Sequence, residues 1–127
     1  MSRPLPDRLP EVLSHAVGAN DEVVLDLHVP AALEHFAGHF PGLPLLPGVV
    51  QIDWAVHFAR QYLPLTGHLL SMQHLKFQSV IQPGMHVKLS IAWDSATGQM
   101  KFSYTNQDGD IYSSARLSFG TRTGAAT

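Results

Sequence analysis

Apolar positions along this chain change their spacing twice, and the changes divide it into elements. Residues 22–29 (EVVLDLHV) alternate, with Val23, Leu25, Leu27 and Val29 on one face and Val24, Asp26 and His28 on the other. That period of two predicts a half-buried strand, which Pro30 ends. Before it, residues 11–17 (EVLSHAV) predict a first strand, separated from the second by the turn GAND. After Pro30, AALEHF allows a short helical turn. Residues 49–62 (VVQIDWAVHFARQY) then predict one long helix, with Gly48 at its N-cap and Pro64 just past its end. Apolar residues fall on nearly every side of it, which predicts a buried helix. From residue 68 the period returns to two: 68–78, then 85–93 (MHVKLSIAW), the turn DSATG, 99–106, a hairpin at Asp108–Gly109, and 110–119. Strands, one buried helix and a run of antiparallel strands predict an α+β plan in which a curved sheet wraps the helix.

Composition narrows the classes of function. The chain has 127 residues, which suggests one domain (1–127) with an extended, proline-rich arm over 1–10 and a flexible tail over 120–127. Charged residues make up only 14 %, which favours a subunit that covers part of its surface with a partner. The absence of cysteine excludes disulfides, zinc–thiolate sites, iron–sulfur clusters and thiol nucleophiles. Eight histidines show no metal-ligand spacing, so neither metal nor cofactor is expected. The net charge of −2 and the scattered Lys and Arg argue against nucleic acid. With no signal-like or membrane-spanning apolar run, a cytoplasmic location is the default expectation.

The stretch that carries chemistry is GHFPGLPLLPGVVQIDWAVHF, Gly38 to Phe58. Pro41, Pro44 and Pro47 stiffen a loop that holds His39. Asp53 sits in the otherwise apolar helix, where desolvation among Val49, Val50 and Val56 is expected to favour its protonated form. Each feature has a plain structural reading: a histidine in a Gly/Pro loop is usually hydrogen-bonded there, a lone buried Asp is usually a satisfied polar group, and Gly48 is an ordinary N-cap. Trp54, Phe58 and Tyr62 read as core, with Leu46 and Trp54 as candidates for the wall of an acyl tunnel.

The segment FAGHFPGLPLLPGVVQID resembles the active-site signature of hotdog-fold 3-hydroxyacyl-ACP dehydratases of the FabA/FabZ type, F-x-G-H-F-P/I-G-x-P-x-x-P-G-V/C-x-x-x-E/D. LKFQSVIQPGMHV resembles a later stretch of that family, and PGVVQIDWAV is most similar to the ApeI-type dehydratases of aryl polyene pathways. The resemblance covers most of residues 11–119. It implies that His39 is the catalytic base at C2 of the substrate and that Asp53, 14 positions later, is the acid that protonates the leaving hydroxyl. It implies that backbone N–H groups near Gly48 hold the thioester oxygen. It further implies an acyl carrier protein as substrate carrier and a homodimer, a dimer of dimers or a heterodimer with a second dehydratase, in which His39 of one chain faces Asp53 of the other. Two positions depart from the family pattern. His57 stands where Gln is frequent; one turn from Asp53, it either orients the carboxyl or pairs with it and keeps it ionised. Met85 stands where Asp follows the Pro–Gly pair. Arg60, Lys76 and Arg116 are candidates for docking an acidic carrier. Two competing functions share the fold: an acyl thioesterase, and a non-catalytic partner subunit of a dehydratase.

Overall fold

A computed structural model describes residues 9–30 and 45–121. Among them, strands β1 (Glu11–Val17) and β2 (Glu22–His28) precede helix α1 (Gly48–Tyr62), and β3 (His68–Phe77), β4 (His86–Asp94), β5 (Gln99–Thr105) and β6 (Ile111–Gly120) follow it. The strands form one antiparallel sheet in the order β1-β2-β4-β5-β6-β3. The expected strands and helix are therefore present, and six strands around one helix meet the α+β expectation. The 31–36 turn, the N-terminal arm up to residue 8 and the tail from 122 lie outside the described residues. Leu9 and Pro10, at the end of that arm, lie against the protein, and Gly120 closes β6 by pairing with His68.

The core is the inner face of the sheet against one face of the helix. Val23, Leu25 and Leu27 of β2, Val87, Leu89 and Ile91 of β4, Met100 and Phe102 of β5, and Ala115 and Leu117 of β6 are buried against Trp54, Ala55, Phe58 and Ala59. Burial of each large side chain stabilises by about 1.5–3 kcal/mol. The alternation predicted from sequence is obeyed in β2, β4, β5 and β6, where a one-residue slip would turn every core side chain outward; β3, expected to share the period of two, is instead exposed at every position, and β1 at nearly every one.

Turn chemistry fixes the order of the hairpins. Asp94 Oδ1 accepts the Ala96 N–H at 3.0 Å and Gly98 adopts φ 69° between β4 and β5. Between β5 and β6, Asn106 Oδ1 accepts the N–H groups of Asp108 and Asp110 at 2.8 and 2.9 Å, and Gly109 takes φ 90°. These left-handed positions suit glycine, which has no Cβ to clash.

The helix corrects one expectation. It is not buried all round: Gln51, Trp54, Ala55, Phe58 and Ala59 form its buried face, while Val49 is 68 % exposed and Asp53 and Arg60 are exposed. The positions 51, 54, 55 and 58 follow the i, i+3, i+4, i+7 spacing of one face. A single layer of sheet covers one side of a helix, so the other side stays open in a single chain.

Candidate active site

The helix start is built from backbone. Pro47, extended at φ −61° and ψ 149°, is the N-cap, and its carbonyl accepts the N–H groups of Val50 at 3.1 Å and Gln51 at 3.2 Å. No side chain caps this end. The N–H groups of Gly48 and Val49 donate to no described residue, and they stand at the positive end of the helix dipole. Gly48 leaves room here for a neighbouring ring. A Cβ on it would lie 2.6 Å from Cζ of Phe77, whose ring at the end of β3 closes over the helix start. The glycine thus permits a close approach, as anticipated, but within the chain the approach is made by Phe77.

Asp53 lies on the open stripe of the helix with Val49 one turn before it. The expectation that apolar neighbours bury its carboxyl is not met within one chain: Asp53 is exposed. Val49 and Val50 do not shield it because Val49 itself faces outward and Val50 only partly packs on the core. His57 is half-buried one turn further on, and its ring meets Phe58 edge-on at 5.1 Å. No hydrogen bond or ion pair joins His57 to Asp53, so neither anticipated pairing forms inside a single chain. Leu46 and Trp54 are each 2 % exposed and belong to the core. His39 lies outside the described residues.

Under the helix start sits a buried polar group that the sequence reading missed. Gln51 is 3 % exposed; its Nε2 donates to the Leu46 carbonyl at 3.1 Å and its Oε1 accepts from the Ser113 hydroxyl at 2.6 Å. The Tyr104 hydroxyl donates to the Gln51 backbone carbonyl at 2.7 Å, and burial pushes the Tyr104 phenol well above its ordinary pKa. The signal was present in the chain: Gln51 shares helical spacing with Trp54, Ala55 and Phe58, so an amide was placed on the buried face and had to find partners.

The cationic candidates separate. The Arg60 guanidinium donates to the Gly67 carbonyl at 3.0 Å and lies 5.6 Å from the centre of the Phe119 ring, which ties the helix end to the following turn. Lys76 and Arg116 instead line a groove of about 580 Å³ on the outer sheet face, together with Lys101 and His74. Register explains the grouping: Lys101 pairs with Arg116, and Lys76 pairs with Ser114. A bulge between Gln73 and Lys76, where His74 takes φ 53°, turns β3 at this point. Among the described residues none of these three cations has an ion-pair partner, and Arg116 Nε is buried without a hydrogen bond.

A six-stranded antiparallel sheet curled around one central helix, with an acid on the open stripe of that helix, defines a protein of the hotdog class. Residues 15–116 match the model of the ApeI-like family, described as ApeI dehydratase, and the chain belongs to that family. It is similar to a structure described as the dehydratase heterocomplex ApeI:P from Xenorhabdus doucetiae, with 34 % identity and a TM-score of 0.80 over 86 % of this chain and 96 % of that one. A structure of a protein from Erwinia carotovora subsp. atroseptica matches with 34 % identity and a TM-score of 0.79, covering 88 % and 96 %. Among curated relatives, the 3-hydroxyacyl-[acyl-carrier-protein] dehydratase FabZ of Lactobacillus helveticus is 28 % identical over 76 % of this chain and 72 % of its own length. The FabZ of Chlamydia trachomatis serovar D is 28 % identical over 91 % and 85 %. Mouse thioesterase superfamily member 2, at 14 % identity and a TM-score of 0.62, shares the fold alone.

Proposed function

We propose that the chain dehydrates a 3-hydroxyacyl thioester, carried on an acyl carrier protein, to the trans-2-enoyl thioester in fatty-acid-like or aryl polyene biosynthesis. The observation that carries this reading is the match of residues 15–116 to the ApeI dehydratase family, a span that contains His39 and Asp53. In the reaction His39 removes a proton from C2, the electrons form the C2–C3 double bond, and Asp53 protonates the departing C3 hydroxyl, which leaves as water. The free N–H groups of Gly48 and Val49 receive the thioester oxygen as negative charge develops on it. No cofactor enters these steps. His57 acts on Asp53 from one turn away, and Leu46 and Trp54 back the acyl tunnel.

The reading includes a dimer, and the open side of the single chain supports it. Asp53 stands exposed on the open stripe of the helix, and a second subunit would supply the cover that one chain lacks. β3 is an edge strand exposed along its whole length, and it carries Leu69, Leu70, Met72, Leu75 and Phe77. Such an edge is a template for pairing with another chain. The partner is a second copy or, as the Xenorhabdus heterocomplex suggests, a related dehydratase subunit. Carrier docking is placed on Lys76, Lys101 and Arg116, three of the eight Lys and Arg of a chain with net charge −2. No described helix is long and apolar enough to cross a membrane.

The test mixes inactive His39→Ala and Asp53→Asn chains and follows enoyl formation by loss of water from 3-hydroxyacyl-carrier substrates. Restored turnover in the mixed dimers is the expected result. Mixed dimers that form and remain inactive would refute the shared site. Release of free thiol without enoyl product from the unmodified protein would mark a thioesterase instead.

A further inference from the structure

We infer that Gln51 is a positioning residue for the reaction: its buried amide, held by Ser113 and backed by Tyr104, fixes the Leu46–Pro47–Gly48 turn and so aims the free Gly48 and Val49 N–H groups at the substrate oxygen. The inference rests on the dehydratase reading above but concerns residues that reading does not use.

Three elements converge on this one side chain. The Gln51 amide uses its donor on the Leu46 carbonyl and its acceptor on the Ser113 hydroxyl of β6. The Tyr104 hydroxyl of β5 reaches the backbone carbonyl of the same residue. Leu46 is fixed from its other side as well, since its N–H donates to the Ile81 carbonyl at 2.7 Å. The loop leading into the helix is therefore pinned through Leu46 on one side to the sheet and on the other to the first helical turn. All the fixed groups are buried, with Leu46 2 %, Gln51 3 %, Ser113 0 % and Tyr104 0 % exposed.

The arrangement is needed because the helix start has no cap of its own. A Ser, Asp or Asn at the N-cap would fill the first-turn N–H groups with its side chain. Pro47 has no side-chain acceptor and no N–H, so the Gly48 and Val49 donors meet no acceptor among the described residues, while the turn loses the rigidity that a cap gives. Gln51 restores that rigidity from below without occupying the donors. A pair of N–H groups stabilises developing charge only when it is aimed in advance, and a misplacement of about 1 Å far from the chemistry can cost about 100-fold in rate. An apolar residue at 51 would fill the same space yet leave the Leu46 carbonyl and the Ser113 hydroxyl buried without partners, so the turn would move to find water.

The experiment uses Gln51→Met, which keeps length and volume but removes both hydrogen bonds, with Ser113→Ala and Tyr104→Phe as milder variants. Dehydration of a short 3-hydroxyacyl pantetheine thioester is measured together with amide hydrogen exchange and thermal melting. In folded Gln51→Met we expect kcat to fall by about 10–100-fold with KM within about threefold, the signature of an interaction realised at the transition state. Exchange of amides in 45–52 should rise by at least about tenfold while 55–62 is unchanged, as local opening predicts. Wild-type kcat in the folded variant, or faster exchange spread evenly along the helix, overturns the inference. If Gln51→Met does not fold, Ser113→Ala and Tyr104→Phe are read by the same two measures and decide it. If the unmodified protein turns over no 3-hydroxyacyl thioester, the dehydratase reading fails, whereas the exchange data still decide whether Gln51 tethers the turn.

Discussion

The two edges of the sheet are built differently. β1 and β3 are both edge strands, and both are largely exposed. β1 interrupts its outward positions with Glu11, Ser14 and His15; Ser14 donates to Asp26 at 2.7 Å, Glu11 lies 3.4 Å from His28, and the His15 ring meets Tyr62 at a tilt, 4.5 Å between centres. Its polar side chains engage β2 and Tyr62 of the helix, and its exposed apolar residues, Leu13 and Val17, are two against the five of β3. β3 carries a run of exposed apolar residues, bulges twice against β6, and ends in Phe77 over the helix start. One edge is blunted and the other prepared to be covered. The difference bears on the proposed dimer: the open stripe bearing Asp53 and the apolar β3 edge are the two uncovered surfaces that the proposed second subunit would have to cover.

The largest effect should come from the acid on that stripe. Asp53→Asn is expected to lower turnover by about 10²–10⁴-fold, as loss of a general acid does. Because Asp53 is exposed in the single chain, the melting temperature should hardly move. A variant within a few-fold of wild type would make Asp53 structural. Next comes the edge. Leu70→Glu together with Met72→Glu should split the dimer, seen by light scattering, and reduce activity by at least about 100-fold through loss of the assembled geometry. A dimer that survives both charges would move the interface away from β3.

Reversing a cation on the outer face should act more gently. Lys76→Glu is expected to raise KM for the carrier-bound substrate by about 3–10-fold, because exposed charges steer association more than they hold it. A short pantetheine thioester should react unchanged. Equal losses on both would show that Lys76 supports the fold.

Tyr104 gives a pH test of the core beneath the site. Burial raises its pKa in the folded state, so the folded protein holds this proton more tightly than the unfolded chain. Its contribution is fully present below the unfolded value of about 10 and is lost as pH rises from there towards the folded pKa. Urea melts between pH 9 and 11 should therefore show falling stability in the wild type and a flatter profile in Tyr104→Phe. The same substitution at neutral pH should cost about 0.5–1.5 kcal/mol for one hydrogen bond. The smallest effect belongs to the blunted edge: Leu13→Glu on β1, at an exposed position, should change stability by no more than about 0.5 kcal/mol and leave the oligomer and its activity intact. A change in assembly there would erase the contrast between the edges.

The chain by itself determined the elements and the inner faces of β2, β4, β5 and β6. Alternation from Val23 to Val29 and from Met85 to Trp93 is a local property of strands, and Asn106, Gly98 and Gly109 set their turns within a few residues. The same holds for the spacing of His39 and Asp53, which is counted along the chain. Local composition could not tell which side of an apolar helix stays open. Val49 and Trp54 look alike as hydrophobes, and only the packing of a single sheet layer buries Trp54 and leaves Val49 out. Nor could it show that Gln51 meets Ser113 and Tyr104, which are 62 and 53 positions away, since that meeting depends on the register of β5 and β6. Contacts between neighbours in sequence follow from backbone sterics and side-chain pattern, whereas contacts across the sheet exist only after the whole chain has closed on its core, and it is there that the helix start, its open donors and the uncovered β3 edge were decided.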